Sequence, residues 1–467
     1  MAEPLWTSEA IAQATGGWRH GGAFAVNGVS IDTRSLEPGD LFVALAGERD
    51  GHEYVAQALA KGAAGVLASR PVDGPAILVD DTHKALERLG VAARDRAAQA
   101  RRGAVTGSVG KTSVTQAVAA GLALAGPSHN SVKSYNNHIG VPLTLARMPR
   151  ATERAVFEVG MNHADEIEPL SQMIAPHVVA ITTVGPVHTE NFADGEAGVA
   201  RAKAEIFAGL APGGTAVLNA DNAWFELLKA AADRAGARIV TFGAAEACDA
   251  QLVGFCLTDA GARVSVRVHG EALDFPIRQT GFHWGMNSLT GLLMLEAMGV
   301  ARGTALAALA GFAPLEGRGA ERTIAILGGA FVLIDDSYNA NPISMTAALR
   351  SLGARTVQGR RIVALTDMLE LGPDAAEHHA ALAGEAAAAD VDLVFCAGPM
   401  MGALWEALPP TRRGGYARTA LALAPVVSEA VAPGDVVLVK GSNGSQAWLV
   451  AASLAGRALA ATGGGAG

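Results

Sequence analysis

A short glycine-rich stretch of the sequence has the residue types of a phosphate-binding loop. Residues 106–112 read Thr-Gly-Ser-Val-Gly-Lys-Thr, between a strand-like apolar run and a segment that predicts a helix over about 111–125. The glycines would let backbone amides surround phosphate oxygens, and the helix N-terminus would add partial positive charge. Lys111 would then reach the β and γ phosphates of a nucleoside triphosphate, and the Thr112 hydroxyl would bind Mg²⁺. The strict form of this pattern places glycine where the chain has Val105, so a chance glycine-rich turn is the competing interpretation.

Three more residues could hold metal ions near that loop. Glu158 ends one apolar run and His188 follows another, so both are expected at the carboxyl ends of parallel strands, where α/β sheets bind ligands. A carboxylate there suits Mg²⁺, which prefers oxygen ligands. Lys203 lies fifteen residues beyond His188. Each residue also has a purely structural interpretation: Glu158 on an exposed strand face, His188 as a structural histidine, and Lys203 as a solvated helical side chain paired with an acid.

The segments that must position these residues alternate between short strands and helices, which is typical of parallel sheets with crossover helices. We predict an α/β protein of three domains. Residues 1–100 would form a small α/β domain, 101–318 a central parallel-sheet domain with the phosphate loop, and 319–467 a Rossmann-like, doubly wound domain. A hairpin is predicted around residues 259–261, and Thr82 is expected to cap the last helix of the first domain.

Composition and charge limit the classes of function. A chain of 467 residues fits about three domains, and its hydrophobic half excludes a disordered protein. The net charge of −9 argues against a broad nucleic-acid-binding surface. No apolar run of about 18 residues predicts a membrane span, and the first residues do not resemble a signal peptide. Three scattered cysteines suit a reducing compartment. We therefore expect a cytoplasmic protein that binds neither nucleic acid nor membrane.

Taken together, the motifs resemble those of the Mur ligase superfamily, whose members join an amine to a carboxylate with ATP and which includes folylpolyglutamate synthases. The resembling stretches are the loop at 106–112, Asn-Asn-His-Ile-Gly-Val-Pro at 136–142, Ala-Lys-Ala-Glu-Ile-Phe at 202–207, Gly-Phe-His-Trp-Gly-Met-Asn at 281–287 and Leu-Glu-Gly-Arg at 315–318. Two residues depart from the family pattern. Trp284 replaces an asparagine that usually contacts adenine, and Glu316 interrupts the hinge motif. Trp284 would stack on the base, or base recognition would be weaker or come from other residues.

The third domain indicates which type of Mur ligase the chain resembles. Asp-Asp-Ser-Tyr-Asn-Ala-Asn-Pro at 335–342 is close to the signature of the members that add D-alanyl-D-alanine. Thr-Asp-Met-Leu-Glu-Leu-Gly at 366–372 and Lys-Gly-Ser at 440–442 resemble two further elements of those enzymes, with Thr366 in a place that is usually glycine.

The first domain agrees with that type. Residues 32–34, 38–45 and 50–52 resemble the UDP-binding domain shared by the ligases that add the third residue and the dipeptide. This domain lacks the Gly-x-Gly-x-x-Gly fingerprint, which disfavours the earlier UDP-muramoyl ligases because those have Rossmann-type N-terminal domains. The chain also lacks the Asp-Asn-Pro-Arg element of the ligase that adds a diamino acid.

The resemblance implies a reaction and its substrates. ATP would drive ligation of D-alanyl-D-alanine to UDP-MurNAc-tripeptide through an acyl phosphate, giving UDP-MurNAc-pentapeptide, ADP and phosphate for peptidoglycan and cell-wall synthesis. The resemblance also implies two Mg²⁺ ions, with His188 binding the second ion. It further implies that CO₂ carbamylates Lys203, which turns an ammonium into a carboxylate-like ligand. We expect the protein to be a monomer.

The site residues follow from matching the motifs position by position. The nucleotide would contact Gly107, Ser108, Val109, Gly110, Lys111, Thr112, Asn287, Arg318 and Asp336. The substrates would contact Thr33, Arg34, Asp50, His52, Asn137, Asn339, Asn341, Lys440 and Ser442. The catalytic residues would be Lys111, Glu158, His188 and Lys203, and the metal ligands would be Thr112, Glu158, His188 and Lys203.

Other interpretations stay open. A sibling enzyme, the tripeptide-forming ligase or a folylpolyglutamate-type enzyme, is one, although the folate family lacks a UDP domain. A P-loop protein that hydrolyses nucleotide to switch a partner would need the loop but neither His188 nor Lys203. A non-catalytic member that only binds nucleotide would fit the departures at Trp284, Glu316 and Thr366. The third residue of the tripeptide, Lys or meso-diaminopimelate, is also undecided.

Overall fold

The structure, a computed structural model, describes residues 3–47, 49–132 and 134–462, of which 457–462 are described by their backbone alone. The described strands form a five-stranded, a nine-stranded and a six-stranded sheet in chain order, with a two-stranded ribbon beside the first. Helices alternate with these strands, so the predicted α/β class is confirmed. The predicted boundaries after residues 100 and 318 fall between elements of different sheets, and they stay a prediction. No helix within the described ranges is both long and apolar enough to cross a membrane.

The first domain is a small sheet with helices packed against it. Its elements are β1 (Trp6–Thr7), α1 (Ser8–Thr15), β2 (Trp18–His20), β3 (Ala25–Val26), β4 (Gly28–Ser30), β5 (Asp40–Val43), α2 (Val55–Ala60), β6 (Gly65–Ala68), β7 (Ala76–Leu78) and α3 (Thr82–Arg96). The strand order is β2-β7-β6-β5-β4, with β2 antiparallel to β7 and the other pairs parallel, while β1 pairs with β3. Ile11 of α1 and Leu89 of α3 are fully buried in the same core as the strands.

Helix α3 begins at Thr82, but its cap is the residue before. The Asp81 carboxylate accepts hydrogen bonds from the amides of His83 and Lys84, so the prediction that Thr82 caps this helix is wrong. An aspartate at this place satisfies two amides that the first helical turn leaves free. Thr82 is buried instead.

The central domain is built on the nine-stranded sheet. Its elements are β8 (Arg101–Thr106), α4 (Lys111–Ala125), β9 (Ser128–Asn130), α5 (Gly140–Ala146), β10 (Arg154–Glu158), α6 (Ile167–Ile174), β11 (Val178–Ile181), α7 (Glu196–Ala204), β12 (Thr215–Asn219), α8 (Phe225–Arg234), β13 (Arg238–Gly243), β14 (Ala250–Thr258), β15 (Gly261–Val268), β16 (Glu271–Ile277), α9 (His283–Ala297) and α10 (Arg302–Gly311). The strand order is β16-β15-β14-β13-β12-β11-β8-β10-β9. Apolar cores cover both faces of this sheet, which explains the continuous apolar runs of its inner strands.

The parallel register of the strands places the phosphate loop and the candidate metal-binding residues at one edge of the central sheet. Strand β8 lies between β10 and β11, with Val105 opposite Glu158 and Thr106 opposite Ile181. The phosphate loop therefore leaves β8 at the same level at which Glu158 ends β10. The chain toward His188 leaves β11 at that level too, as expected for the ligand-binding edge of a parallel sheet.

The predicted hairpin around 259–261 is confirmed, and the structure extends it. Strands β14 and β15 pair in antiparallel fashion, with Thr258 opposite Gly261. A third strand that the sequence did not indicate, β16, pairs with β15 and forms the sheet edge.

The C-terminal domain is a second doubly wound unit. Its elements are β17 (Ala320–Ile326), β18 (Gly329–Asp336), α11 (Pro342–Gly353), β19 (Arg361–Thr366), α12 (Ala375–Ala388), β20 (Leu393–Ala397), α13 (Met401–Ala407), β21 (Arg413–Ala417), α14 (Ala420–Ala430), β22 (Val436–Lys440) and α15 (Trp448–Thr462). The order is β17-β18-β22-β19-β20-β21, and only the β17–β18 pair is antiparallel among these described strands. Asp336 lies opposite Lys440 where β18 and β22 end, so these two charges meet at the carboxyl edge.

Candidate active site

Two glycines allow the conformation of the phosphate loop. Gly107 and Gly110 have φ angles of +147° and +85°, which side-chain-bearing residues rarely adopt. A Cβ atom on Gly107 would stand 1.9 Å from the hydroxyl oxygen of Thr182. That hydroxyl donates a 2.5 Å hydrogen bond to the Val109 carbonyl, so the segment after β11 fixes the loop from the side.

Helix α4 presents its N-terminus to the space in front of the loop. Gly110 stands at the N-cap, where it has no side chain to bond the first amides of the helix. Those amides are therefore available to an anion. On the other side of the loop, the Ser108 amide donates to the Thr183 carbonyl at 2.8 Å, and the Ser108 hydroxyl donates to the Gly185 carbonyl at 3.1 Å. These hydrogen bonds hold the loop in a conformation whose free amides can bind an anion.

Lys111 turns back onto this loop. Its Nζ donates to the Gly107 carbonyl at 2.7 Å. Burial lowers the pKa of Lys111, the Glu158 carboxylate opposes that shift, and the Arg318 guanidinium adds to it. The ammonium therefore stands among few groups that can neutralise it, and a bound phosphate would supply the missing negative charge.

Glu158 is buried with one of its oxygens unused. Asn136 Nδ2 donates to Oε1 of Glu158 at 2.7 Å, whereas Oε2 is buried and has no partner among the described atoms. A buried carboxylate oxygen without a partner is costly unless a ligand completes it. The side chain of Glu158 is only 1% exposed, so that ligand must reach it from the cavity side.

The donors around Glu158 suit a hard cation such as Mg²⁺. The free oxygen of Glu158 and the Thr112 hydroxyl line the same cavity and are oxygen ligands. Among the described residues, no group of three His, Cys, Asp or Glu side chains could enclose a metal ion. An ion at this place would therefore take its other ligands from water and phosphate, as Mg²⁺ does in nucleotide sites.

Lys203 lies in α7 and is buried rather than solvated. Its side chain is 2% exposed. Burial holds the pKa of Lys203 well below its usual range, and the like charge of Lys111 lowers it further. Burial beside another ammonium favours the uncharged amine, which is the nucleophilic form of a lysine. Lys203 is not among the described residues that line the cavity.

His188 meets a partner that the sequence did not predict. Its Nδ1 lies 2.6 Å from Oε2 of Glu370, which belongs to the C-terminal domain. This close pairing lowers the pKa of the Glu370 carboxyl, with burial opposing it. Both residues have left-handed backbones, with φ of 60° and 63°. His188 therefore joins two domains in this structure, and its assignment as a metal ligand stays a prediction.

A buried ion pair organises the C-terminal side of the cavity. Lys440 Nζ lies 2.7 Å from Oδ2 of Asp336 and also donates to the Asn339 carbonyl at 2.9 Å. Asn341 caps α11 by accepting from the Ser344 amide at 2.9 Å. These bonds hold the 335–342 segment rigidly against β22.

Arg318, at the hinge, and Tyr338, of the C-terminal domain, contact Ser134 of the central domain. The Arg318 guanidinium lies 4.2 Å from the centroid of the Tyr338 ring, a cation–π arrangement. The Tyr338 hydroxyl donates to the Ser134 hydroxyl at 3.0 Å, and Arg318 Nη2 donates to the same oxygen at 3.4 Å. The central and C-terminal domains therefore close over the loop.

One cavity of about 290 Å³ gathers most of these groups. The predicted site residues that line it are Ser108, Val109, Gly110, Lys111, Thr112, Glu158, His188, Asn287, Arg318, Asp336, Asn339, Asn341 and Lys440. Sequence reasoning did not name the other lining residues, among them Ser134, Asn136, His283 and Tyr338. The last three lie inside the quoted motifs, so their positions were indicated but not their roles. Ser134 had no sequence signal of its own.

Asn287 and Trp284, both in α9, lie in different surroundings. Oδ1 of Asn287 stands 2.9 Å from where a Cβ on Gly110 would be, and its Nδ2 is buried without a partner among the described atoms. Asn287 is thus close to the phosphate loop. Trp284 is only 3% exposed and belongs to the central core, with its ring centroid 5.6 Å from that of Phe312.

Several predicted residues lie outside the cavity wall. Gly107 contributes through the carbonyl that Lys111 contacts. Asn137 Oδ1 accepts from the Gly140 amide at 2.9 Å, at the start of α5. The Ser442 hydroxyl donates to the Ala340 carbonyl at 3.2 Å and so supports the 335–342 segment from below. Substrate contacts by Asn137 and Ser442 stay predictions.

The four residues predicted to bind UDP are on the first domain. Thr33 Oγ1 donates to Gln57 Oε1 at 3.1 Å, and Arg34 is exposed and bound to Asp32. These contacts leave the Arg34 guanidinium largely in solvent, and a role in UDP binding stays a prediction for both residues.

His52 and Asp50 form a local network in the same domain. Nδ1 of His52 lies 2.6 Å from Asp50, and its Nε2 accepts from the Ser69 amide at 3.0 Å. Hydrogen bonds from the His52 amide and then its side chain lower the pKa of Asp50 to about 2. His52 is therefore held by its own domain, and contact with UDP stays a prediction for both residues.

Comparison with known proteins places the whole chain in one family. The description "Mur ligase family, catalytic domain" matches residues 25–94, "Mur ligase middle domain" matches 105–295, and "Mur ligase, glutamate ligase domain" matches 318–443.

Named relatives are similar over nearly the full length. The UDP-N-acetylmuramoyl-tripeptide–D-alanyl-D-alanine ligase of Escherichia coli (strain K12) is 35% identical over 84% of this chain and 86% of its own. The protein of the same name from Bacillus subtilis (strain 168) is 33% identical over 90% of this chain and 91% of its own. A crystal structure of MurF from Acinetobacter baumannii is 28% identical, covers 97% of this chain and 99% of its own, and superposes with a TM-score of 0.84.

The contacts of His52 predict a stabilising role. His52→Ala removes hydrogen bonds to Asp50 and to the Ser69 amide at a side chain that is 3% exposed. We expect the free energy of unfolding to fall by about 1–3 kcal/mol, measured by urea denaturation. The control is Arg34→Ala, whose side chain is 89% exposed, with an expected change of at most about 0.5 kcal/mol. Equal effects of the two substitutions would contradict this role.

Proposed function

The chain belongs to the Mur ligase family, and we propose that it joins D-alanyl-D-alanine to UDP-MurNAc-tripeptide with ATP. The products are UDP-MurNAc-pentapeptide, ADP and phosphate, and the reaction serves peptidoglycan precursor synthesis. The observation that carries the proposal is the cavity in which the phosphate loop faces the 335–342 segment and Lys440. Such a cavity can bring the γ-phosphate of a nucleoside triphosphate to the carboxylate that it activates, beside the amine that then attacks.

Similarity to the relatives favours addition of the dipeptide. The Escherichia coli and Bacillus subtilis proteins are named for D-alanyl-D-alanine ligation, and each aligns with more than four fifths of this chain. The matched regions include residues 25–94, which a nucleotide-switch protein would not need. This full-length match is why the ligase is preferred over a P-loop switch.

The first task of the site is to hold ATP and offset its charge. The loop amides and the N-terminus of α4 would bind phosphate oxygens. Lys111 would exchange the Gly107 carbonyl for a phosphate oxygen, because a phosphate would neutralise the Lys111 ammonium. Arg318, at the hinge, and Lys440, from the C-terminal domain, would approach the bound nucleotide from the opposite wall of the cavity.

Thr112 and Glu158 would hold one Mg²⁺ through their oxygens. When bound, this ion offsets triphosphate charge and polarises the γ-phosphate. Asn136 keeps the Glu158 carboxylate aimed by donating to Oε1, which leaves Oε2 for the ion.

Lys203 is proposed to be carbamylated by CO₂. Its amine, in the uncharged form, would attack the carbon of CO₂. An N–C bond forms, one carbon–oxygen π bond breaks and the nitrogen loses a proton, which yields an anionic carbamate. A carbamate suits the neighbourhood of Lys111, because that ammonium disfavours a second positive charge and attracts an anion. With His188, this carbamate would hold a second Mg²⁺.

The reaction proceeds by two transfers. An oxygen of the tripeptide carboxylate attacks the γ-phosphorus, the bond to the β-phosphate oxygen breaks, and ADP leaves. The dipeptide amine then attacks the carbonyl carbon of the acyl phosphate, the carbon–oxygen bond breaks, and phosphate leaves with that oxygen as the amine loses a proton. Exclusion of water by the closed domains protects the acyl phosphate from hydrolysis. We also propose that the protein is a monomer and acts in the cytoplasm.

A ligation assay tests the proposed function. With ATP, Mg²⁺, UDP-MurNAc-tripeptide and D-alanyl-D-alanine, we expect pentapeptide and ADP in equal amounts, detected by mass spectrometry. UDP-MurNAc-dipeptide with a diamino acid should give no product, and tripeptides ending in Lys or meso-diaminopimelate will identify the third residue. Turnover only with the diamino acid, or ATP hydrolysis that ignores the acceptors, would contradict the proposal.

Chemical rescue tests the carbamate. Lys203→Ala should lower ligation by at least about a hundredfold, because one ligand and one charge are lost, and a short-chain carboxylate should restore part of it. Lys111→Ala, the matched control, should lose activity without rescue, since a carboxylate cannot replace an ammonium. Full activity of Lys203→Ala, or equal rescue of both variants, would show that the carbamate is not needed.

A further inference from the structure

A second, narrow cavity adjoins the one that holds the phosphate loop. The two cavities share His283, Arg318 and Asp336 in their walls. A nucleotide whose phosphates occupy the loop can therefore extend past these three residues into the second cavity. Residues 279–284 of the central domain and the strands and helix α11 of the C-terminal domain form its sides.

The walls of this cavity suit a flat aromatic ring. Trp284, Ile334, Leu352 and Leu438 contribute apolar surface from both domains. Apolar walls that meet a small number of polar groups are typical of nucleotide-base pockets, because the walls bury the ring while the polar groups fix its orientation.

Gln279 lines that cavity and has an unused acceptor. Its side chain is 3% exposed, and its Nε2 donates to the Phe312 carbonyl at 2.8 Å. A carbonyl can only accept, so the amide nitrogen must face Phe312 and the amide oxygen must face away. Oε1 is buried and has no partner among the described atoms. Leaving such an oxygen unpaired is costly, and a donor on a bound ligand would remove the cost.

The surroundings keep this acceptor in place. Both terminal guanidinium nitrogens of Arg355 donate to the Glu321 carboxylate, and the Thr280 hydroxyl donates to the same carboxylate. The Phe282 amide donates to the Ser351 hydroxyl at 3.0 Å. These bonds join the two sides of the cavity, so the residues that flank Gln279 have little freedom to move.

We propose that Gln279 recognises the nucleobase by accepting a hydrogen bond from the exocyclic amino group of adenine. Asn287 cannot take this role from its place beside Gly110, at the phosphate end. Trp284 offers an apolar ring to the same cavity but no acceptor. An acceptor at this position favours a base that carries an amino group and disfavours one with a carbonyl oxygen or a hydrogen there. The proposal rests on the proposed function only in taking ATP as the phosphate donor.

Nucleotide binding tests the proposal without any acceptor substrate. Dissociation constants of ATP and purine riboside triphosphate, which lacks the amino group, are measured by calorimetry with Mg²⁺ on the full chain. We expect the wild-type protein to bind ATP about tenfold more tightly, the value of one hydrogen bond to a buried group. In Gln279→Leu the preference should fall to about one.

The matched control is Asn287→Ala. This substitution should weaken the binding of both nucleotides by the same factor and leave the ratio of their dissociation constants unchanged. Thermal unfolding of each variant shows whether it is folded. Equal binding of both nucleotides by the wild-type protein, or an unchanged preference in folded Gln279→Leu, would overturn the proposal. Because no acceptor is present, failure of ligation would leave this result unaffected, and the two proposals fail separately.

Discussion

The parallel register of β8 between β10 and β11 determines where the central domain places its charged groups in the active site. It sets the phosphate loop, Glu158 and the segment leading to His188 at one level of the sheet. Helices cover both faces, so Glu158 and Lys203 are almost fully buried and Lys111 is partly buried near them. In such surroundings charges interact strongly and unpaired ones are costly. The lowered pKa of each lysine and the unused oxygen of Glu158 are consequences of this arrangement.

The C-terminal domain repeats the same principle with a second parallel pair. β18 and β22 end with Asp336 opposite Lys440, and their ion pair faces the phosphate loop across the cavity. The contacts that join the domains in this arrangement include His188 with Glu370 and Tyr338 with Ser134. The cavity is therefore assembled from groups of both domains.

The sequence predicted the structural features that depend on residues adjacent along the chain. The predicted range of helix α4 matches the structure, because glycines and a lysine mark its start and apolar residues continue to Ala125. Buried parallel strands were found from their apolar runs, whereas β17 and β21, which lie at sheet edges and are only partly buried, were not. Contacts between distant residues were also missed. The pairing of His188 with Glu370 and the contact of Tyr338 with Ser134 depend on how two domains meet, which no local pattern encodes. The surroundings of Trp284 also depend on packing, since its ring lies against Phe312 in the core and also lines the second cavity.

In the proposed reaction, the cavity between the central and C-terminal domains activates a carboxylate by transferring a phosphoryl group of ATP to it. The most direct measurement follows oxygen from a tripeptide whose terminal carboxylate carries ¹⁸O in both positions. If the carboxylate attacks the γ-phosphorus, the carbon–oxygen bond later breaks and one labelled oxygen leaves with phosphate in each turnover. Mass spectrometry of the inorganic phosphate should therefore show one ¹⁸O per molecule, with the other retained in the new amide. Phosphate without label, formed while the pentapeptide accumulates, would contradict the account.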